Sequence, residues 1–154
     1  MLESTPRSKI DNILFQVMMT FYHSERVVQD QFGVDYQQIY ALQYLLRHPN
    51  GCVTDIADEL AIPLFHASRL IRRLSEQDLV IKLQSEHDRR NTLINLTPAG
   101  TEMVKKIEER SYRMLLENTQ GLTEDEIKAF FTVAEDLHKV LGVTQQVLRS
   151  KASE

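Results

Sequence analysis

The sequence predicts a mainly helical fold of the α+β kind, with long helices at both ends and, between them, two short helices followed by one β-hairpin. Three observations predict it. Apolar residues recur at helical spacing over most of the chain. Basic residues gather on the polar side of one short helix, and two adjacent stretches rich in β-formers are separated by a polar loop. At 154 residues, 42% apolar and 26% charged, the chain suits one globular domain that can bury a core.

The elements follow in order. From Ile10 to about Gln31, Ile10, Ile13, Leu14, Val17, Phe21 and Val28 mark a first long helix, with Gly33 placed as its C-terminal cap. Tyr36 to Arg47 repeats the pattern with Ile39, Leu42, Leu45 and Leu46, and stops at the breaker cluster His48-Pro49-Asn50-Gly51. Thr54 offers an N-cap for a short helix reaching about Leu60, with Ile56, Ala57 and Leu60 inward. Ala61-Ile62 makes a tight connection, and Pro63 suits the first turn of the next helix. There Ala67, Leu70, Ile71 and Leu74 form an inner stripe, while Ser68, Arg69, Arg72 and Arg73 occupy the opposite face. Two short helices with a tight turn between them, the second basic outside, make a helix-turn-helix.

Leu79–Leu83 and Thr92–Leu96 read as strands joined by a loop from Gln84 to Asn91, and a hairpin in that place is a wing. Thr97 then caps a helix that has Pro98 at its first position and runs to about Gln120. A last helix opens with a capping box of Thr123 and Glu126 and a staple of Leu122 and Ile127, and its stripe is Ile127, Phe130, Phe131, Ala134, Leu137, His138 and Leu141. The chain is thus read as a single domain over 1–154, with a winged helix-turn-helix lobe at 36–97 and dimerisation helices at 8–32 and 98–149. A single copy would expose much of the apolar surface of those terminal helices, so a homodimer is expected.

Charge and cysteine usage narrow the function. The net charge is −4, yet between His66 and Arg90 the bases Arg69, Arg72, Arg73, Lys82, Arg89 and Arg90 outnumber the acids Glu76, Asp78, Glu86 and Asp88. One region is therefore electropositive in an acidic chain. Cys52 is the only cysteine, which excludes an internal disulfide framework and a multi-Cys zinc site; it reads as a small, partly buried residue beside a turn. The N-terminus MLESTPRSK has no signal-like apolar segment and no run of about 18 apolar residues occurs, so a cytoplasmic protein without membrane contact is expected.

The stretch TDIADELAIPLFHASRLIRRLSEQDLVIKLQSEHDRRNTLINLTPAG, Thr54 to Gly100, resembles the MarR (multiple antibiotic resistance regulator) family of bacterial transcription factors. The most specific part is Asp88-Arg89-Arg90 followed by Leu96-Thr97-Pro98-Ala99-Gly100. The resemblance implies a homodimer whose terminal helices interlock, with the Pro63 to Gln77 helix in a major groove and the wing in an adjacent minor groove. It also implies a repressor of the kind released by small, often phenolic or carboxylate, ligands. Peroxide-sensing members carry a cysteine in the first helix, which this chain lacks there, and zinc-sensing members need clustered His and acidic ligands.

Residue types on the second helix agree with that reading. His66, Ser68 and Arg69 are assigned to base edges, and Arg72 or Arg73 to phosphate, because base readout comes from the N-terminal turns of such a helix. By similarity to the family's Asp-x-Arg wing, Arg90 enters the minor groove with Asp88 orienting it, and Arg89 meets phosphate. Phe65 is expected to pack against the preceding turn. Effectors of the family bind between the first, second and fifth helices, where Met18, Tyr22, His23, Arg26, Tyr40 and Tyr44 could hold an aromatic carboxylate or simply fill core and surface.

The partners expected are double-stranded DNA with a pseudo-palindromic operator, a second copy and a small effector, with no cofactor and no metal. An enzyme finds no support. The five histidines (His23, His48, His66, His87 and His138) are dispersed, with no HExxH, no GxSxG and no glycine-rich phosphate loop. The rival reading is a winged-helix module for protein contacts, which would have no reason to keep both a basic helix face and a wing arginine.

Overall fold

The computed structural model describes residues 4–84 and 92–142. Seven helices and one hairpin are seen among them: α1 (Arg7–Phe32), α2 (Tyr36–Arg47), α3 (Val53–Leu60), α4 (Leu64–Glu76), β1 (Val80–Gln84), β2 (Thr92–Leu96), α5 (Pro98–Asn118), α6 (Glu124–Glu135) and α7 (Leu137–Val140). The core lies in the middle of the chain. Leu42 and Leu45 from α2, Ile56 from α3, Leu70, Ile71 and Leu74 from α4, Ile94 from β2 and Val104 from α5 are essentially withdrawn from solvent.

Local chemistry fixes the helix ends. Gly33 closes α1 in the left-handed conformation, φ 69°, which only a residue without Cβ adopts at no cost. Asp35 caps α2 through a reciprocal box, its carboxylate accepting the Gln38 N–H at 2.8 Å while Gln38 Oε1 accepts the Asp35 N–H at 2.9 Å. Gln38 is buried, and its Nε2 donates to Gln77 Oε1, whose own Nε2 donates to the Gly33 carbonyl. This chain ties the ends of α1 and α4 to the start of α2 and leaves the buried amide satisfied.

Several boundaries differ from the sequence reading. The N-cap of α3 is Cys52, not Thr54, because the Asp55 carboxylate reaches back to accept the Cys52 N–H at 2.8 Å. Pro63 stands just before α4 as its N-cap rather than inside it. The first strand starts at Val80, one residue later than expected, and includes Gln84. The last helix is broken at Asp136, whose φ −99° and ψ 6° leave the helical range, so the stripe from Ile127 to Leu141 is divided between α6 and α7. The capping box of Thr123 and Glu126 is present, with Glu126 Oε2 accepting the Thr123 N–H at 2.8 Å.

The hairpin is antiparallel with Val80 opposite Leu96, Lys82 opposite Ile94 and Gln84 opposite Thr92. Its base is fastened at two places. The Ile94 N–H donates to the Gly51 carbonyl at 2.8 Å, and Asn50 and Asn95 exchange two bonds, the Asn50 N–H to Asn95 Oδ1 and Asn95 Nδ2 to Asn50 Oδ1. Thr97 Oγ1 donates to the Asp78 carbonyl at 2.6 Å and accepts the Gly100 N–H at 3.0 Å. A Cβ on Gly100 would collide with the Leu79 backbone. The Leu-Thr-Pro-Ala-Gly segment is therefore the joint at which the wing returns to the helix-turn-helix and starts α5.

The terminal helices pack lightly. In α1 only Val28 is buried, while Ile13, Leu14, Phe15, Val17, Met18 and Phe21 are exposed; α6 and α7 bury nothing. No helix among the described residues is long and apolar enough to cross a membrane.

Candidate nucleic-acid interface

The interface begins in the turn between α3 and α4. Ala61 adopts a left-handed conformation, φ 50°, and the Ile62 N–H donates to the Ala57 carbonyl at 3.0 Å, so the chain reverses in two residues. Pro63, φ −56° and ψ 144°, then sets the direction of α4, and its carbonyl accepts the His66 and Ala67 N–H groups. Ala67, Leu70, Ile71 and Leu74 are buried as the spacing predicts, which holds the opposite face toward solvent.

That face carries His66, Ser68, Arg69, Arg72 and Arg73, all exposed. Arg72 Nε lies 3.6 Å from Glu76 Oε1 one turn on, and Arg73 Nη1 lies 3.6 Å from Asp35 Oδ2. Arg69 has no ion-pair partner among the described residues, so its guanidinium is free to donate a forked pair of bonds. His66, Arg69, Arg72 and Arg73 line a hollow of about 260 Å³ with Gln37 of α2. Gln37 was not singled out from the sequence, since only the packing of α2 beside α4 brings its amide to the basic face.

Phe65 departs from expectation. Rather than being covered by the preceding turn, it is 60% exposed, with its ring centroid 4.0 Å from that of His66. Of the wing residues, Asp88, Arg89 and Arg90 lie outside the described residues; Lys82 on β1 is exposed.

The effector candidates divide into two groups. Tyr40 and Tyr44 line a cleft of about 300 Å³ with Gln43, Arg47, His48, Glu59 and Leu60. Burial, above all, raises the pKa of both phenols, reinforced at Tyr40 by Tyr36 and Glu25 and at Tyr44 by Asp55 and Glu59, so both remain hydrogen-bond donors. Met18, Tyr22, His23 and Arg26 do not line this cleft and stand exposed on α1, where Arg26 Nη1 donates to Tyr22 Oη at 3.3 Å. Cys52 is half-buried at the start of α3. Among the described residues no three His, Cys, Asp or Glu side chains are grouped as a metal would need.

A short, buried-inside and basic-outside helix set beside a hairpin defines a winged helix, and residues 34–100 match the family described as winged helix DNA-binding domain. The organic hydroperoxide resistance transcriptional regulator of Bacillus subtilis (strain 168) is 28% identical over 112 residues, 71% of this chain and 76% of that protein. The fold is shared with FabT of Streptococcus pneumoniae, whose structure is a complex with DNA, at a TM-score of 0.75 and 16% identity over 89% of this chain and 98% of that one. It is shared too with a MarR family protein from Bacillus stearothermophilus, at 0.73 and 19% identity over 88% and 94%. Residues 34–100 thus match a winged helix DNA-binding domain, and the chain as a whole is similar in sequence to a transcriptional regulator and in fold to a MarR family protein.

Proposed function

We propose that the chain acts as a homodimeric repressor which reads a pseudo-palindromic operator with α4 and the wing and leaves it when a small aromatic carboxylate binds. The observation that carries the DNA-contact assignment is the α4 face, where Arg69, Arg72 and Arg73 stand together over a fully buried inner stripe. His66, Ser68 and Arg69 contact base edges and Arg72 or Arg73 contacts phosphate, Arg72 being the less engaged within the lobe since Arg73 pairs with Asp35 of the α2 cap and Arg72 with Glu76 of its own helix. Arg90 enters the minor groove, oriented by Asp88, and Arg89 meets phosphate.

The dimer reading is supported by the apolar faces that one chain leaves open. Phe15, Val17 and Phe21 on α1, Tyr112 and Leu116 on α5 and Phe130, Phe131 and Val133 on α6 are each more than two-fifths exposed. A face of that extent is what a second copy covers. Met18, Tyr22, His23 and Arg26 lie on the same helix and go into that junction. The effector reading rests on the cleft that Tyr40, Tyr44 and Arg47 line together, in which the two phenols would pack on the ligand's aromatic ring and the guanidinium would take its carboxylate. The ligand acts only through its differential affinity for the free and DNA-bound arrangements.

The test needs no known operator. Binding of any duplex is titrated over a range of salt for the natural chain, Arg69→Ala, Arg72→Ala and Arg90→Ala. Loss of a phosphate contact lowers the slope of log affinity against log salt by about one unit and weakens all sequences alike. Arg72→Ala, which loses a phosphate contact, and Arg90→Ala, which loses a cation from the minor groove, are both expected to lower the slope and weaken all sequences. An unchanged slope and affinity in Arg90→Ala would remove the wing from the interface.

A further inference from the structure

We infer that Phe65 is a specificity-determining residue that seats on the 5-methyl group of a thymine in the major groove. This deepens, and rests on, the reading of α4 as the DNA-contacting helix. Phe65, Arg69 and Arg72 fall at i, i+4 and i+7, so they form one row, and that row lies opposite the buried Ala67, Leu70, Ile71 and Leu74. The phenyl ring thus stands on the midline of the basic face, one turn N-terminal to the arginine that has no ion-pair partner among the described residues. It is 60% exposed, and Leu64 beside it is 54% exposed. The His66 ring at 4.0 Å braces it from the flank.

The charge around the ring identifies the occupant. An apolar tip with His66 against it and Arg69 one turn on, on a face that carries Arg72 and Arg73 further along, is ill suited to an apolar protein groove, which would have to desolvate those guanidinium groups, and well suited to a polyanion that offers an apolar spot. In duplex DNA the apolar spot of the major groove is the thymine methyl, which phenylalanine is able to cover. The N-terminal turn, where Phe65 sits, is also the part of such a helix that reaches base edges. Arg69, one turn on, takes a guanine O6 and N7 in the same half-site.

The experiment uses the full chain and a duplex it selects from a random pool. Each thymine of that duplex is replaced in turn by deoxyuridine, which keeps the base pair and removes only the methyl. For the natural chain one thymine per half-site is expected to lose about four-fold in affinity, the worth of one buried methyl-sized group. Phe65→Ala is expected to bind the thymine duplex more weakly and to be indifferent to deoxyuridine at that position, while Phe65→Leu keeps part of the discrimination. A salt slope equal to that of the natural chain shows that Phe65→Ala has lost base reading and kept its phosphate contacts. If a site is selected but no deoxyuridine changes affinity, or Phe65→Ala discriminates as the natural chain does, the assignment of Phe65 is overturned and the DNA-contacting role of α4 stands. If no duplex is selected or retained, both fall.

Discussion

Single side chains hold this molecule at points where a backbone group would otherwise be left unpaired. Gln38 is the clearest, since its buried amide serves Asp35 and Gln77 together. Gln38→Ala is expected to cost about 1–3 kcal/mol in urea unfolding, because the groups it leaves behind lose their partner inside the protein. Asp55 acts at the start of α3, where hydrogen bonds from Cys52, the side chain first and the backbone second, lower its pKa. A carboxyl depressed in the folded state stabilises above its unfolded pKa and loses that contribution as pH falls through the folded value. Asp55→Ala is therefore expected to be less stable by about 1 kcal/mol at neutral pH, and the two proteins should converge as acid protonates the natural carboxyl. Equal stability at pH 7 would mean that the cap contributes nothing. Cys52 shows what spacing could not settle: Thr54 has the better capping side chain, but Asp55 at the third helical position reaches Cys52, and the helix starts there.

The elements were legible where periodicity and caps agreed. On α4 the buried Ala67, Leu70, Ile71 and Leu74 are those the spacing selects, and Thr97 opens α5 as its cap; on α2 Ile39, Leu42 and Leu45 are buried as read, but Leu46 is exposed and Gln38 and Ala41 are buried in addition. The break at Asp136 was not legible, because apolar spacing continues through it and only the backbone turns aside. The basic face of α4 could be read from helical spacing alone, whereas Gln37 reaches it through packing and Phe65 through exposure. Two element-scale substitutions check the joints. Ala61→Gly relieves a left-handed alanine in the helix-turn-helix connection and is expected to raise stability by up to about 1 kcal/mol, read as a higher urea midpoint. Gly100→Ala is expected to destabilise by about 3 kcal/mol, because the added methyl meets the Leu79 backbone, which cannot move without shifting the wing from α5. A neutral Gly100→Ala would show that this joint is loose.

At the scale of the whole molecule the structure is lopsided, with a dense core from α2 to the start of α5 and long apolar helix faces outside it. The proposed dimer resolves that imbalance and sets the spacing of two α4 helices. Sedimentation is expected to give twice the mass of one chain, and Phe15→Glu combined with Phe21→Glu is expected to give the monomer and to lose most affinity for a symmetric site. A double variant that remains dimeric would place the interface elsewhere. The central claim, that two copies present α4 and the wing to one duplex, is tested most directly by selecting sequences from a random duplex pool with the full-length protein. The account predicts an enriched inverted repeat with half-sites about one helical turn apart. No enrichment, with no salt-dependent retention of any duplex, would contradict it.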